Sequence, residues 1–176
     1  RVINALESGP NAGNTIVVLW SDHGWHLGEK QHWQKFTGWR VCTRVPLIVR
    51  VPKGSPGLVA GTVAGTTCEQ PVNLLSLFPT LTDLSGIPGS SQADAPSLLP
   101  LLEDSQADWP HVPTTYLNRP EEYSIRDQDW RYIHYQDNSE ELYQISSDPH
   151  EWNNLATSPQ HLSRLQYFRS RAPESF

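Results

Sequence analysis

The feature that most constrains this chain is a short apolar segment that runs directly into a polar loop. Residues 15–20 have the sequence TIVVLW, and residues 21–39 have the sequence SDHGWHLGEKQHWQKFTGW. An apolar run unbroken by polar residues predicts a strand that is buried on both faces of a sheet. Because α/β folds place their sites outside the carboxyl ends of such strands, we expect a functional site where the two segments meet.

The rest of the first 110 residues fits an α/β fold. Residues 45–51, VPLIVRV, predict a second strand. Residues 70–84 predict a helix, because leucines recur along one face at helical spacing. These leucines are Leu74, Leu77, Leu81 and Leu84. Pro79 lies inside the segment, so we expect a kink or a break into two short helices.

The composition changes after residue 110. Short aromatic segments with partly alternating polarity follow, and the later ones are separated by turn-like DQD and QDNSE. They lie at residues 114–118, 123–126, 130–135 and 141–145. This pattern predicts a small antiparallel sheet, and residues 158–171 predict a closing helix. We therefore expect residues 1–110 to belong to an α/β core and residues 111–176 to form a small antiparallel-sheet subdomain.

Charge and hydropathy exclude two classes of function. The net charge is −6, whereas a nucleic-acid groove needs a basic stripe. No apolar run approaches the roughly 20 residues that span a bilayer. We therefore expect neither a nucleic-acid partner nor a membrane span.

Cys42 and Cys68 could pair in an oxidising compartment or stay free, and we expect unpaired or structural thiols.

The residues at the end of the first strand suggest a metal site. Asp22 and His23 are adjacent, and Gly24 after them allows the backbone to turn sharply. A carboxylate oxygen and an imidazole nitrogen are both ligands for a divalent cation, but two ligands are too few for a closed site. The alternative is a solvated aspartate beside a packed histidine. His26 and His32 are further possible ligands, although histidines in such a loop are more typical of the surface or of supporting contacts.

A lysine in the same loop is a candidate for binding an anion. Lys35 lies thirteen residues after Asp22, in a segment that also contains Trp33 and Phe36. An ammonium near a cation site can bind an anionic group as a point charge. The alternative is a solvent-exposed lysine, and Lys30 competes for the same role because spacing does not separate the two.

Four stretches of the sequence together form a specific pattern. The first, LWSDHGWHLGEKQHWQKFTGWRVCTRVPLIVRVPKG, contains the candidate site. The later ones, in order, are VNLLSLFPTLTDLSGIP, YSIRDQDWRYIHY and ELYQISSDPHEWNNLA. Together they resemble the type I sulfatases, and most closely the branch of iduronate-2-sulfatase and choline-sulfatase, whereas SDHG alone also resembles loops of the wider alkaline phosphatase superfamily.

The resemblance implies a fold, an activity and residue roles. It implies part of an alkaline-phosphatase-like α/β/α sandwich followed by a small C-terminal antiparallel sheet with a helix. It also implies hydrolysis of a sulfated small molecule or sugar with a calcium ion, held partly by Asp22 and His23. Lys35 would contact the sulfate and act in catalysis. Trp33, Trp25 and His32 could shape the approach of the substrate, or simply pack.

Two departures limit what the chain can do. Sulfatases attack with a formylglycine made in a Cys-x-Pro-Ser-Arg motif, and neither VCTRV around Cys42 nor TCEQP around Cys68 matches it. The upstream aspartates of the calcium site are absent too, so the chain resembles only about the last third of a full-length enzyme, and we expect the N-terminal part, with the nucleophile, to be its partner. Alone it is predicted to be inactive, and to self-associate through an exposed sheet edge. The second departure is Arg40, where many members of the family have an acidic residue.

Two other functions remain open on the sequence. One is a metal-dependent phosphodiesterase or phosphatase of the same superfamily, in which the Asp-His pair would bind zinc. The other is a non-catalytic module, such as one chain of a cleaved enzyme. Metal analysis would separate the first from a sulfatase, and copurification of a formylglycine-bearing chain would separate the second.

Overall fold

A computed structural model describes residues 1–89 and 92–174, which form eight strands and five α-helices. The strands are β1 (Val17–Trp20), β2 (His26–Leu27), β3 (Trp33–Gln34), β4 (Leu47–Arg50), β5 (Thr114–Tyr116), β6 (Tyr123–Arg126), β7 (Trp130–His134) and β8 (Glu140–Gln144). The helices are α1 (Val2–Glu7), α2 (Arg40–Thr43), α3 (Leu77–Leu84), α4 (Leu99–Glu103) and α5 (Leu162–Arg169). No helix of the described residues is long and apolar enough to cross a membrane.

The chain divides into two compact units. The first contains residues 1–21, 46–69 and 73–110, and the second contains residues 22–45, 70–72 and 111–176. Compactness therefore groups the polar loop with the C-terminal part. The predicted domains, residues 1–110 and 111–176, divide the chain differently and stay a prediction. Residues 90, 91, 175 and 176 of these ranges lie outside the described residues.

The first unit contains both strands predicted from apolar runs. β1 and β4 pair antiparallel, with Val17 opposite Arg50 and Trp20 opposite Leu47. The prediction that β1 is buried on both faces is wrong for this chain, because Leu19 and Trp20 are each 52% exposed. Burial on both faces needs a layer over each face of a wide sheet, and the described residues supply β1 with one neighbouring strand.

The predicted helix of the first unit is present and divided. A 3₁₀ turn at Leu74–Ser76 leads into α3, and the side chain of Asn73 caps the turn by accepting from the Leu75 N–H at 2.9 Å. The division lies before Pro79 rather than at it. Pro79 lies in the first turn of α3. Backbone N–H groups there have no partner within the helix, so proline, which lacks an N–H, costs no helical hydrogen bond.

The second unit confirms the small antiparallel sheet and its closing helix. The sheet has the order β5-β6-β7-β8, and α5 packs on it. Its core residues are buried almost completely. They include Ile125, Tyr132, Leu142, Leu165 and Phe168. The rings of Tyr132 and Phe168 stack with centroids 5.9 Å apart, which joins β7 to α5.

The polar loop of the second unit has its own short hairpin, which the sequence pattern did not predict. β2 pairs with β3, so that Leu27 lies opposite Trp33. A two-residue strand is too short to show alternation, and the histidines and glutamines in it mask any strand signal. Cys42 is buried in α2, and both Cys42 and Cys68 are free thiols, as expected.

Candidate functional site

The site begins at a tight turn directly after β1. Gly24 donates its N–H to the Cys42 carbonyl at 2.7 Å. A Cβ atom on Gly24 would lie 1.9 Å from the Val41 carbonyl oxygen, so a side chain here would push the turn away from α2. Glycine is therefore required by close approach of the two backbones. The turn presents the Asp22 side chain to solvent, with 80% of it exposed.

His23 is held in one tautomer by its neighbour. Its Nδ1 donates to the Gly24 carbonyl at 2.8 Å, so the lone pair lies on Nε2. Nε2 accepts a hydrogen bond from Lys35 Nζ at 3.0 Å and lies 3.4 Å from Asp22 Oδ2. The structure thus brings together the three residues that the sequence singled out, two of them from the turn and the third from twelve residues further on.

The pair Asp22 and His23 fits part of a divalent cation site. It offers carboxylate oxygens and an imidazole nitrogen whose tautomer is set by a backbone carbonyl, which is the usual arrangement of a metal-ligating histidine. The Lys35 ammonium lies 3.0 Å from Nε2 and places a positive charge beside the pair. Within residues 1–89 and 92–174 there is no group of three or more potential metal ligands, so a closed shell needs ligands from elsewhere.

The backbone around Lys35 is unusual. Gln34 and Phe36, on either side of it, have positive φ angles of 76° and 70°. Non-glycine residues in this conformation cost about 1–2 kcal/mol each, so the surrounding structure must hold them there. His32 contributes to this by donating from Nε2 to the Lys35 carbonyl at 3.2 Å. Its ring nitrogen therefore supports the loop backbone, while a contact of His32 with substrate stays a prediction.

Exposed aromatic side chains lie in the same loop as the three polar groups. Trp33 on β3 is 65% exposed, and Trp25 is half exposed with its ring 6.1 Å from that of His23. The Phe36 ring lies 5.1 Å from Lys35 Nζ. Flat apolar surfaces beside a positive charge can contact the apolar faces of an anionic ligand.

His26, the other possible ligand, is packed away from this cluster. It is fully buried, and its Nε2 shares a hydrogen bond of 2.7 Å with Thr37 Oγ1. Its ring meets those of His32 and Trp39 edge to face. Burial lowers the pKa of His26, and the nearby His32 acts in the same direction, so the neutral ring is favoured at physiological pH. His26 is a packing residue of the loop in this structure.

Lys30 and Lys35, which the sequence did not separate, have different surroundings. Lys30 Nζ donates to the Tyr143 hydroxyl at 3.1 Å and to the Glu151 carbonyl, and lies 4.5 Å from the centroid of the Trp39 ring. Lys35 is the lysine that contacts His23. The structure therefore distinguishes the two lysines by their contacts.

The loop is backed by a buried charged group that sequence reasoning missed. Glu151, 1% exposed, accepts from Arg131 Nε at 2.5 Å and from the Arg40 N–H at 2.7 Å. Arg131 also donates to the Gly38 carbonyl at 2.8 Å. Glutamate and arginine are mostly surface residues, and these two are twenty positions apart, so no local pattern indicates that they meet.

The second departure, Arg40, takes part in this backing mainly through its backbone. Its guanidinium donates to the Pro149 carbonyl at 3.4 Å and is exposed there. The hydrogen bond from the backbone N–H of residue 40 to Glu151 could form with any residue except proline at this position. The structure therefore gives the arginine side chain a weak contact at the edge of the loop.

Comparison with known proteins gives one consistent family. A sequence profile of the family described as Sulfatase matches residues 1–87. The chain is 34% identical to a sulfatase of Formosa agariphila over 176 residues, which cover 99% of this chain and 33% of that protein. It is 39% identical to the iduronate 2-sulfatase of Mus musculus over 114 residues, which cover 55% of this chain and 21% of that protein.

Solved structures agree with the sequence comparison. One protein, in complex with its substrate D-glucosamine-2-N,6-O-disulfate, matches with a TM-score of 0.79 and 29% identity. The match covers 98% of this chain and 36% of the other. The chain thus spans about a third of the length of the curated relative that it matches along nearly all of its own length.

Proposed function

We propose that this chain, which belongs to the sulfatase family as the C-terminal part of a sulfatase, supplies the cation- and sulfate-binding loop of an enzyme that hydrolyses sulfate esters. Its fold is of the alkaline-phosphatase-like α/β class seen in the matching sulfatase structures. The observation that carries the proposal is the cluster of Asp22, His23 and Lys35. Lys35 Nζ lies 3.0 Å from His23 Nε2, and Asp22 Oδ2 lies 3.4 Å from the same nitrogen.

Each residue of the cluster has a role in this proposal. Asp22 and His23 would hold a calcium ion together with ligands outside this chain, and the bound ion supplies positive charge to the sulfate oxygens. His23 is kept ready to ligate because Gly24 fixes the proton on Nδ1. Lys35 donates its N–H groups to a sulfate oxygen, where negative charge grows in the transition state. A formylglycine nucleophile is expected in the N-terminal part of the protein, which is the proposed partner of this chain.

A sulfated sugar is the proposed class of substrate. One relative is named for sulfated iduronate, and one matching structure holds a disulfated glucosamine. In this chain, Trp25 exposes aromatic surface beside His23, and Trp33 is an exposed residue two positions before Lys35. An aromatic face can take the apolar face of a sugar ring while the ammonium takes the sulfate group.

Replacement of Lys35 tests the proposal. In the complete protein, Lys35→Ala is expected to lower kcat for an aryl sulfate by about 10²–10³, because one charge-stabilising group is lost. Metal content, measured by plasma mass spectrometry, should be unchanged, since Asp22 and His23 remain. The matched control is Lys53→Ala, which removes an exposed lysine in the other compact unit. Unchanged kinetics of Lys35→Ala, or turnover of phosphate esters with none of sulfate esters, would contradict the proposal.

A further inference from the structure

Lys30 occupies a cage formed by parts of the second unit that are distant in sequence. Its Nζ donates to the Tyr143 hydroxyl on β8 and to the carbonyl of Glu151, which follows that strand. Aromatic faces surround the ammonium, with centroids 4.5 Å away in Trp39, 4.6 Å in Tyr143 and 6.0 Å in Trp152. An ammonium among ring faces and carbonyl oxygens is stabilised by both cation–π and hydrogen-bond interactions.

On the side of the cage formed by the small sheet, the residues that contact Lys30 are held by further hydrogen bonds. The two carboxylate oxygens of Glu151 are taken by the Arg131 guanidinium and the Arg40 N–H. The carboxylate of Glu141 accepts from the Tyr143 hydroxyl at 2.9 Å and from Trp39 Nε1 at 2.6 Å. Three of the residues that Lys30 contacts, Trp39, Tyr143 and Glu151, are therefore each held by a second hydrogen-bond partner.

The near side of the cage is a turn that needs support. Lys30 lies in the 3₁₀ turn at Glu29–Gln31, between β2 and β3, and both Lys30 and Gln31 have positive φ angles, 53° and 57°. Two consecutive non-glycine residues in this region are unfavourable by themselves. The Lys30 side chain ties this turn to the sheet at the point of strain.

The turn is directly connected to the candidate site. β3 (Trp33–Gln34) leads from it into Lys35, and His32 donates to the Lys35 carbonyl. A shift at the tip of the hairpin would therefore move Lys35 relative to His23. Burial lowers the pKa of Lys30, while the carboxylates of Glu141, Glu151 and Asp148 oppose that change, so the cage surrounds the ammonium with compensating negative charge.

We propose that Lys30 is a positioning residue, which locks the turn of the β2–β3 hairpin to the small sheet and thereby fixes the place of Lys35 beside the Asp22–His23 pair. This inference rests on the proposed function only for its kinetic consequence. The structural part, that one ammonium holds this turn, stands on the contacts of Lys30 with Tyr143 and Glu151.

Lys30→Met in the complete protein tests both parts. Methionine keeps an unbranched side chain among the rings but removes the donors and the charge. Hydrogen exchange measured by mass spectrometry should become faster in residues 26–35, while residues 130–134 of β7 keep their protection. With an aryl sulfate, kcat should fall by about 10- to 100-fold, as expected for a displaced catalytic group, with KM within about twofold. Lys30→Arg, which retains charge and donors, should restore most of the exchange protection and of kcat.

Four results would overturn the inference. They are unchanged exchange in residues 26–35, equally faster exchange in residues 130–134, an effect on KM in place of kcat, and no rescue by Lys30→Arg. The second would mean that Lys30 supports global stability, and the third that it contacts substrate. If the unmodified protein turns over no sulfate ester, the proposed function fails, while the exchange data still decide whether Lys30 holds the turn.

Discussion

The β1–β4 pair and the β5–β8 sheet both contain apolar strand residues, but they differ in what covers those residues. Leu19, Trp20 and Ile48 in the pair are half exposed or more. Leu142 and Ile125 in the sheet are fully buried, because α5 packs on the sheet. An apolar run therefore indicates a strand without indicating how much of it is covered, which depends on the partners that the fold supplies.

The two regions also differ in how deeply their ion pairs are buried. On β7, Arg131 is paired with Glu151 and both side chains are at most 4% exposed. On β4, Arg50 lies 4.0 Å from Glu7, and both side chains are largely exposed. The same kind of ion pair thus lies in two dielectric environments, and the consequences of breaking it should differ.

Breaking these two ion pairs should give the largest contrast. Arg131→Met leaves the Glu151 carboxylate buried without its partner, so the free energy of unfolding should fall by about 3–5 kcal/mol. Arg50→Met, the matched control on β4, should cost less than about 1 kcal/mol, because water replaces the exposed contact. Urea denaturation followed by circular dichroism measures both. Equal losses would show that the two regions are not distinguished by burial of charge.

A pair of leucine replacements should give the next largest contrast. Leu142→Ala, in the covered sheet, should lower the free energy of unfolding by about 2–5 kcal/mol through lost packing and a cavity. Leu19→Ala, in the half-exposed strand, should cost less than about 1.5 kcal/mol, since less of its surface is removed from water. The same denaturation experiment applies. A larger loss for Leu19→Ala in the complete protein than in this chain would show that another segment covers β1 there.

The pair of Glu140 and Arg169 should give the smallest effect, which is seen on acidification. Arg169 on α5 lowers the pKa of Glu140 on β8 through a hydrogen bond of 2.7 Å from its Nε. A carboxyl with a depressed folded-state pKa stabilises the fold above its unfolded pKa, and this stability is lost as pH falls through the folded value. Between pH 7 and pH 3 the loss should be on the order of 1 kcal/mol or less, because Arg169 is half exposed and screened.

Glu140→Gln isolates this contribution. The variant should reduce the difference between the urea midpoints at pH 7 and pH 3. A Glu140→Gln protein with the same acid sensitivity as the unmodified chain would remove this pair from the stabilising contacts of α5.

Much of the site could be predicted because its main residues follow a recognisable junction. Asp22 and His23 come directly after an apolar run, and the structure places them at the turn after β1. The choice between Lys30 and Lys35 could not be made, since both lie in one polar, aromatic segment. It depends on Tyr143 and Glu151, more than 110 positions away, which take up the Lys30 ammonium.

The sequence by itself determined the strands β1 and β4, the antiparallel sheet after residue 110 and the junction that carries Asp22 and His23. These follow from local periodicity, turn chemistry and adjacent residues, all of which act over a few positions. Only the tertiary structure decided that β1 is half exposed, that Lys35 contacts His23, and that buried Glu151 backs the loop. Burial and pairing of charges are set by groups brought close in space, and no short-range pattern records which distant groups will meet.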